Sequence, residues 1–498
     1  MTGKVWLVGA GPGDLGLMTV KGKILLKEAD VIIYDHLVGN EILSSLDDSK
    51  KLINVGKLAG HHPIPQEKIN QILVEEAKKG QKVVRLKGGD PFLFGRGGEE
   101  LVELKRCNVP FEVVPGVTSS LAVPAYNGIP VTHRDIASSV HIITGHKKQE
   151  QEDDMDYEAL VRTGGTLVFL MGVAALPDIR KKLLKSGMSP DLPAAILQEG
   201  TTAGQKRVSA TLGDLEEKAK EAKISPPAII IVGKVCGLSD ILSWREELPL
   251  FGMRIVLTRP RALISSLAER LRFLGAEVLE LPAIDTVPAE KNERLPQCFM
   301  QIGTYDWIVF TSQTGVHIFF EQAKREKFDI RKLSGVKFAV IGEGTKAALS
   351  ERGIYAELIP EVFDGESLGH ALADQEIRGR HILIPRAEKG NELLVPILEE
   401  AGALVEEIAV YRTVYHAGKA VSVKEEMEKG KIDIVVFTSS STVEGFSAAT
   451  KGMDHSKIRA ACIGRQTAET AARYNMKCFT APKATLDALT ELILDMRS

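Results

Sequence analysis

Arg85-Leu86-Lys87-Gly88-Gly89-Asp90-Pro91-Phe92-Leu93-Phe94-Gly95-Arg96-Gly97-Gly98-Glu99-Glu100 is the stretch on which the reading of this chain turns. An apolar strand over residues 83–86 runs into a loop dense in glycine, and a helix over 98–105 opens directly after it. Glycines at that density carry an entropic cost unless a ligand or tight packing requires them. The loop also concentrates one acid, Asp90, with the cations Arg85, Lys87 and Arg96. For any single cation, a solvated surface charge is the plain alternative. Outward from this loop, residues 5–8, 31–34 and 111–114 read as further strands, and 17–28 and 66–79 carry helical periodicity. Short β-rich runs alternate with amphipathic helices to the end of the chain, which is the pattern of α/β layers.

A second glycine loop, Gly9-Ala10-Gly11-Pro12-Gly13-Asp14-Leu15-Gly16, follows the first strand, and Asp35 ends the next one. The spacing Gly11-x-Gly13-x-x-Gly16 fits a dinucleotide fingerprint, with Asp35 at the ribose position. Asp14 argues against it. Its carboxylate would stand at the helix N-terminus where a pyrophosphate should bind, repelling the ligand and competing for the same N–H groups. A nicotinamide-dependent oxidoreductase is therefore retained only as an opposing reading.

The chain has 498 residues, enough for roughly three to four compact units. Hydrophobic residues are 44% and charged residues 26%, ordinary globular values that disfavour extensive disorder. A net charge of -3 lacks the basic excess of a general nucleic-acid binder, so an anionic ligand must be met by a local basic site. Cys107, Cys236, Cys298, Cys462 and Cys478 are scattered with no C-x-x-C pair, which reads as reduced thiols without a structural metal. No run approaches the ~20 apolar residues of a membrane span, and the expectation is a cytoplasmic protein with neither membrane nor nucleic-acid partner.

A break near residues 242–252 starts a new α/β series, and this second half repeats itself. Asp306-Trp307-Ile308-Val309-Phe310-Thr311-Ser312 returns as Asp433-Ile434-Val435-Val436-Phe437-Thr438-Ser439. Residues 255–259 are echoed by 382–386, and Ile341-Gly342-Glu343-Gly344-Thr345 by Ile463-Gly464-Arg465-Gln466-Thr467. Three blocks in one order imply two similar lobes built by duplication. The Thr-Ser and Ile-Gly-x-x-Thr turns open helices and present N–H groups and hydroxyls to an anion, N-capping being the plain alternative.

Val8-Gly9-Ala10-Gly11-Pro12-Gly13-Asp14, Tyr34-Asp35, the 85–100 loop, Pro115-Gly116-Val117-Thr118-Ser119, Gly128-Ile129-Pro130-Val131-Thr132-His133-Arg134 and Leu170-Met171-Gly172 together resemble the tetrapyrrole methylase family. Within it they are most similar to the uroporphyrinogen-III C-methyltransferases. The resemblance implies two α/β lobes over residues 1–245 with S-adenosylmethionine folded in the cleft between them and S-adenosylhomocysteine as product. It implies methyl transfer to C2 and then C7 of uroporphyrinogen III, giving precorrin-2, and a homodimer through this domain. The cofactor site would comprise Pro12, Gly88, Gly89, Asp90, Leu93, Thr118, Ser119, Met171 and Gly200, with Asp35 and Lys57 at the proton-transfer positions. A surface or capping Asp, a snorkelling Lys and a core-filling Met are the plain alternatives. Because the substrate carries eight carboxylates, Arg85, Lys87, Arg96, His133 and Arg134 are candidates for binding it.

Leu257-Thr258-Arg259-Pro260, Phe310-Thr311-Ser312, Ile384-Pro385-Arg386, Val410-Tyr411-Arg412-Thr413 and Phe437-Thr438-Ser439-Ser440-Ser441-Thr442 resemble the uroporphyrinogen-III synthase family. This implies a second two-lobed α/β fold over residues 250–498, its first strand joining the final repeat, that closes hydroxymethylbilane into uroporphyrinogen III with inversion of ring D. Tyr411 and Thr467 match proposed catalytic positions, and Arg386, Ser439, Ser440 and Gly464 are candidates for the substrate's carboxylates. A buried Tyr with an ordinary hydrogen bond is the alternative for Tyr411. The methylase substrate is the synthase product, so the fusion is chemically coherent. A non-catalytic C-terminal binding module attached to an active methylase is the opposing reading, and no block remains for a precorrin-2 dehydrogenase. Use of the product for sirohaem or for cobalamin stays open.

Overall fold

The computed structural model describes residues 2–47, 49–56, 64–145, 155–259, 261–289, 294–388, 393–415 and 421–497. Lys57 lies outside them. Within them the chain builds four sheets of five strands each.

The first sheet holds β1 (Lys4–Gly9), β2 (Val31–Tyr34), β3 (Lys51–Asn54), β4 (Lys82–Lys87) and β5 (Phe111–Val114), in the order β3-β2-β4-β1-β5. All its pairings are parallel. Helices cover both faces, so Leu7, Ile32, Ile33, Val83 and Val84 are fully buried, and the central strands read as unbroken apolar runs. β3 escapes the sequence pattern because it is a short edge strand with exposed ends and only Leu52-Ile53 between them.

The helix expected over 17–28 begins later, at Val20, where the Thr19 hydroxyl accepts the Gly22 N–H. Before it, Leu15–Leu17 forms a 3-10 turn whose Gly16 N–H is taken by the Asp14 carboxylate. This removes the dinucleotide geometry, which needs a helix opening at the third glycine with free N–H groups.

The second sheet contains β6 (Val140–Thr144), β7 (Thr166–Leu170), β8 (Pro193–Gln198), β9 (Lys206–Thr211) and β10 (Ala228–Val232), in the order β6-β7-β10-β8-β9. Only β6 and β7 run parallel; β10 is antiparallel to both β7 and β8, and β8 to β9.

In the second half, β11 (Arg254–Leu257) and β12 (Glu277–Glu280) come first. The chain then crosses to β13 (Ile284–Pro288), β14 (Trp307–Phe310), β15 (Lys337–Val340), β16 (His381–Ala387) and β17 (Leu404–Tyr415), ordered β13-β17-β16-β14-β15. It returns for β18 (Ile434–Phe437), β19 (Arg459–Cys462) and β20 (Lys477–Thr480), which complete the sheet β12-β11-β18-β19-β20. The repeated blocks occupy matching places: β11 corresponds to β16 and β18 to β14, with β11 beside β18 in one sheet and β16 beside β14 in the other. The first strand thus joins the last repeat, and the chain crosses between the lobes once after β12 and once after β17.

Edge strand β12 lies against helix Asn40–Ser44 and the turn at Ala203 of the first half. Its outward Val278 and Glu280 N–H groups donate to the Glu41 carboxylate (3.3 Å) and the Ser44 hydroxyl (3.1 Å), both on helix Asn40–Ser44. From the second sheet's side, the Ala203 N–H donates to Glu277 at 2.9 Å, and Arg254 bridges Glu277 and Glu426. The open edge is therefore closed by hydrogen bonds from its own chain.

Glu41 is buried there beside Arg272 and Asp14, and desolvation pushes its carboxyl up to about 7 against the pull of Arg272. Because that value lies above the ordinary 4.5, the folded protein keeps a proton that the unfolded chain releases between the two. Stability relative to Glu41→Gln should fall by about 2–3 kcal/mol as pH rises from 5 to 7 and stay level above, read from denaturant melts.

Candidate active sites

The C-terminal ends of β1, β4 and β5 meet without side chains between them. Gly11 and Gly89 exchange backbone hydrogen bonds (3.2 and 2.8 Å), and a Cβ on Gly9 would stand 2.5 Å from Gly116. The Asp90 carboxylate ties the turns after β4 and β5 together: one oxygen accepts the Phe92 and Leu93 N–H groups, and the other accepts the Gly116 N–H at 3.0 Å. Ligands bind parallel sheets at this end of the strands.

The second sheet reaches the same place. Thr118 caps helix Ser119–Tyr126, and Val123 on that helix lies so close to Gly200 that a Cβ there would clash at 2.3 Å. Thr201 accepts the Asp14 N–H, and the Tyr126 hydroxyl donates to the Asp14 carboxylate at 2.9 Å. Arg245 lies over the Tyr126 ring, 3.8 Å from Asp14. Met171 follows β7 with φ 57 and is 54% exposed. Of the residues expected at a cofactor, Pro12, Gly88, Gly89, Asp90, Leu93, Thr118 and Ser119 border the glycine junction, while Gly200 reaches it through Val123 and Thr201.

Asp35, at the end of β2, accepts the Leu37 N–H on one oxygen and the Arg85 guanidinium on the other at 3.2 Å. Arg85 also reaches Glu100 at 3.1 Å, and Lys87 reaches the same carboxylate at 3.2 Å. Glu100 is fully buried and the two cations nearly so. Burial pulls the Lys87 ammonium below its usual range. This corrects the expectation that Arg85 and Lys87 meet substrate directly, because both charges are matched inside the protein and Arg85 instead orients Asp35. Arg96 is exposed and paired with Glu99 at 2.7 Å, while His133 and Arg134 sit exposed in the turn ahead of β6.

In the second half the expected residues divide between the lobes. Tyr411 on β17 is buried, with its hydroxyl 2.9 Å from that of Ser312, which caps helix Gln313–Arg325. Arg386 at the end of β16 pairs with Glu407 at 2.6 Å. In the other lobe, Ser439 forms a capping box with Thr442, Ser440 donates to the Gln466 carbonyl, and Gly464 caps helix Arg465–Arg473, on which Thr467 is buried. Helix Ser440–Ala449 leans on β13 and β17, so the Ser439 turn approaches the other lobe at the crossings. Among the described residues, no group of His, Cys, Asp and Glu could hold a metal ion.

A family model described as Tetrapyrrole (Corrin/Porphyrin) Methylases matches residues 4–216, and one described as Uroporphyrinogen-III synthase HemD matches residues 265–491. The chain is 44% identical over 494 residues to the porphyrin biosynthesis protein HemD of Ruminiclostridium josui, covering 99% of this chain and 98% of that one. It belongs to the tetrapyrrole methylases in its first half and to the HemD uroporphyrinogen-III synthases in its second. The methylase half is also 51% identical over 241 residues to the S-adenosyl-L-methionine-dependent uroporphyrinogen III methyltransferase of Methanosarcina barkeri, spanning 48% of this chain and 94% of that protein. The crystal structure of Thermus thermophilus uroporphyrin-III C-methyltransferase with S-adenosyl homocysteine aligns with 41% identity and a TM-score of 0.41, covering 47% of this chain and 98% of that one.

Several residues that shape the methylase cleft were not among the expected site residues. Glu100 carried a trace, as the acid one turn into the helix after a cationic strand, whereas Tyr126, Thr201 and Arg245 gave no local sign. Arg85→Met should leave Glu100 buried with Lys87 as its sole cationic partner and destabilise the methylase half by about 3–5 kcal/mol in denaturant titration. Arg85→Lys should recover part of that loss.

Proposed function

We propose that this chain carries out two consecutive steps of tetrapyrrole synthesis. Residues 250–498 cyclise hydroxymethylbilane to uroporphyrinogen III, and residues 1–245 methylate that product at C2 and C7 to give precorrin-2, which lies ahead of both sirohaem and cobalamin. The observation that carries the reading is the side-chain-free junction of Gly9, Gly11, Gly89 and Gly116, bordered by residues of the methylase pattern.

The cleft fits a cofactor of this kind. A Cβ built on Gly89 would meet only the Ser119 nitrogen, at 3.8 Å, so the backbone there faces open space. Pro12, Leu93 and Met171 offer apolar surface, and Gly88 through Asp90 with Thr118 and Ser119 offer backbone groups and hydroxyls. S-adenosylmethionine, when bound, supplies the methyl group on a sulfonium leaving group. The pyrrole carbon is already nucleophilic, so the chain's main task is in-line positioning. Asp35 is the base that takes the proton from the ring system afterwards; Arg85 and Leu37 each hold one oxygen and leave further lone pairs free. Lys57 is assigned as its acid partner, and Arg96, His133 and Arg134 to the substrate's carboxylates.

In the synthase half, burial holds the Tyr411 phenol above its usual value, so it keeps its proton at neutral pH and acts as a donor. That donor helps the hydroxyl of hydroxymethylbilane leave as water, the C–O bond breaking to leave an azafulvene that ring D then attacks. Ser312 orients the phenol. Thr467 is assigned to the catalytic site with Tyr411, and Ser439, Ser440, Gly464 and Arg386 to the carboxylates of the folded chain.

No described helix is long and apolar enough to cross a membrane, and all five cysteines are free thiols. A cytoplasmic location and a homodimer through the methylase half belong to this proposal; light scattering of the purified chain tests the latter.

Anaerobic incubation with fresh hydroxymethylbilane should give the type III isomer without S-adenosylmethionine and a dimethylated product with it. Type I porphyrin alone would reduce the second half to a binding module. Thermal stabilisation by NAD and none by S-adenosylmethionine would return the first half to the oxidoreductase reading. Tyr411→Phe should lower synthase turnover at least tenfold while leaving methylation of supplied uroporphyrinogen III unchanged.

A further inference from the structure

The contact between the halves reaches into the glycine loop of the methylase. Arg272, on helix Arg261–Phe273 of the synthase half, donates through Nε to Glu41 Oε1 at 2.6 Å and through Nη2 to Glu280 at 3.1 Å. The other Glu41 oxygen, Oε2, accepts the Leu15 N–H at 3.2 Å. Leu15 opens the 3-10 turn immediately after Pro12-Gly13-Asp14, so a synthase cation, a buried carboxylate and the cofactor loop form one continuous polar chain. The loop is held from the opposite side by Tyr126 and Thr201 through Asp14.

Every atom in this chain has a fixed role. Glu41 is 4% exposed, and both its oxygens face donors: Arg272 and the Val278 N–H on one, the Leu15 N–H on the other. Without Arg272 the Glu41 carboxyl loses the cation that opposes its desolvation, a state relieved by holding its proton to higher pH or by moving toward water. Either response disturbs the acceptor that Leu15 uses. An amide in place of the carboxylate has the same effect, because it must turn an NH2 group toward one of the two sets of donors.

We propose that Arg272 of the synthase half is a positioning residue for the methylase reaction, holding the 11–17 loop in its cofactor-binding shape through Glu41. The inference rests on the reading of that loop as part of the S-adenosylmethionine site. Methylation competence is then supplied partly by the second half of the same chain, and the two activities share a structural element as well as an intermediate.

The test uses the full-length chain, with S-adenosylhomocysteine binding measured by calorimetry beside steady-state methylation and synthase turnover. Arg272→Ala should weaken S-adenosylhomocysteine binding and raise the KM for S-adenosylmethionine about tenfold, with kcat and synthase turnover within about twofold of wild type. Arg272→Lys should restore most of the affinity. Ser44→Ala, which removes another hydrogen bond of the same contact without touching the Glu41–Leu15 link, should leave affinity unchanged. Unaltered affinity in Arg272→Ala, or an equal loss in Ser44→Ala, would overturn the proposal and leave the ion pair as a docking contact alone. Should Arg272→Ala fail to fold, Glu41→Gln carries the test: weaker binding supports the positioning role, and wild-type binding overturns it. A wild-type chain that binds no S-adenosylhomocysteine would instead remove the underlying assignment of the loop, an outcome distinct from wild-type binding that the variants leave intact.

Discussion

Backbone meets backbone at Gly9, Gly89 and Gly116, and the methylase half is organised around that contact. A Cβ on Gly116 would stand 2.2 Å from the Gly89 carbonyl oxygen, and one on Gly9 would overlap Gly116. Those separations are far inside van der Waals contact, and the atoms opposed are backbone, which cannot swing aside. Glycine at 9 and 116, where a Cβ would strike backbone, and the positive φ of Gly89 let the turns after β1, β4 and β5 close on one another, with Asp90 bonding the last two. Helix Ser119–Tyr126 then starts from the last of these turns and carries the second sheet to the same cleft through Val123 and Tyr126. The positions of Pro12, Thr118 and Gly200 all follow from it.

Buried carboxylates do the remaining orientation. Glu100 holds Arg85 and Lys87, Glu41 holds Arg272, and Glu277 and Glu426 hold Arg254. Desolvation offsets much of the attraction within such pairs, so their contribution to net stability is small compared with the cost of breaking them. In this molecule they define geometry: Arg85 reaches Asp35 because Glu100 anchors its other side, and β12 meets helix Asn40–Ser44 in one register because Glu41 and Ser44 satisfy its outward N–H groups.

The synthase half solves a different problem. Its lobes share the order of four strands and their turn chemistry, yet the candidate residues are unequal: a buried Tyr411–Ser312 pair in one, a run of hydroxyls at Ser439–Thr442 with Gly464 in the other. Duplication supplied two similar edges of helix-opening turns, and the unmatched tyrosine distinguishes them. Two chain crossings, with helix Ser440–Ala449 leaning on β13 and β17, set how the edges approach each other, a geometry suited to closure around a flexible linear substrate.

Local sequence determined the strands with long apolar runs, the glycine loops and the repeat in the second half, because burial on both faces of a parallel sheet and close backbone contact each impose a residue type that can be read in place. It also made the ordered set of methylase motifs recognisable as a whole. Edge strand β3, the delayed start of the helix at Val20 and the interior fate of Arg85 and Lys87 were decided by tertiary structure. An edge strand needs little apolar sequence, a cap competes with its neighbours over one turn, and a lysine or arginine reads alike whether it faces solvent or a buried acid such as Glu100. The link from Arg272 through Glu41 to Leu15 lies furthest from local legibility: Arg272 stands more than two hundred residues from the other two, and only folding brings a synthase helix and a methylase loop to the two oxygens of one carboxylate.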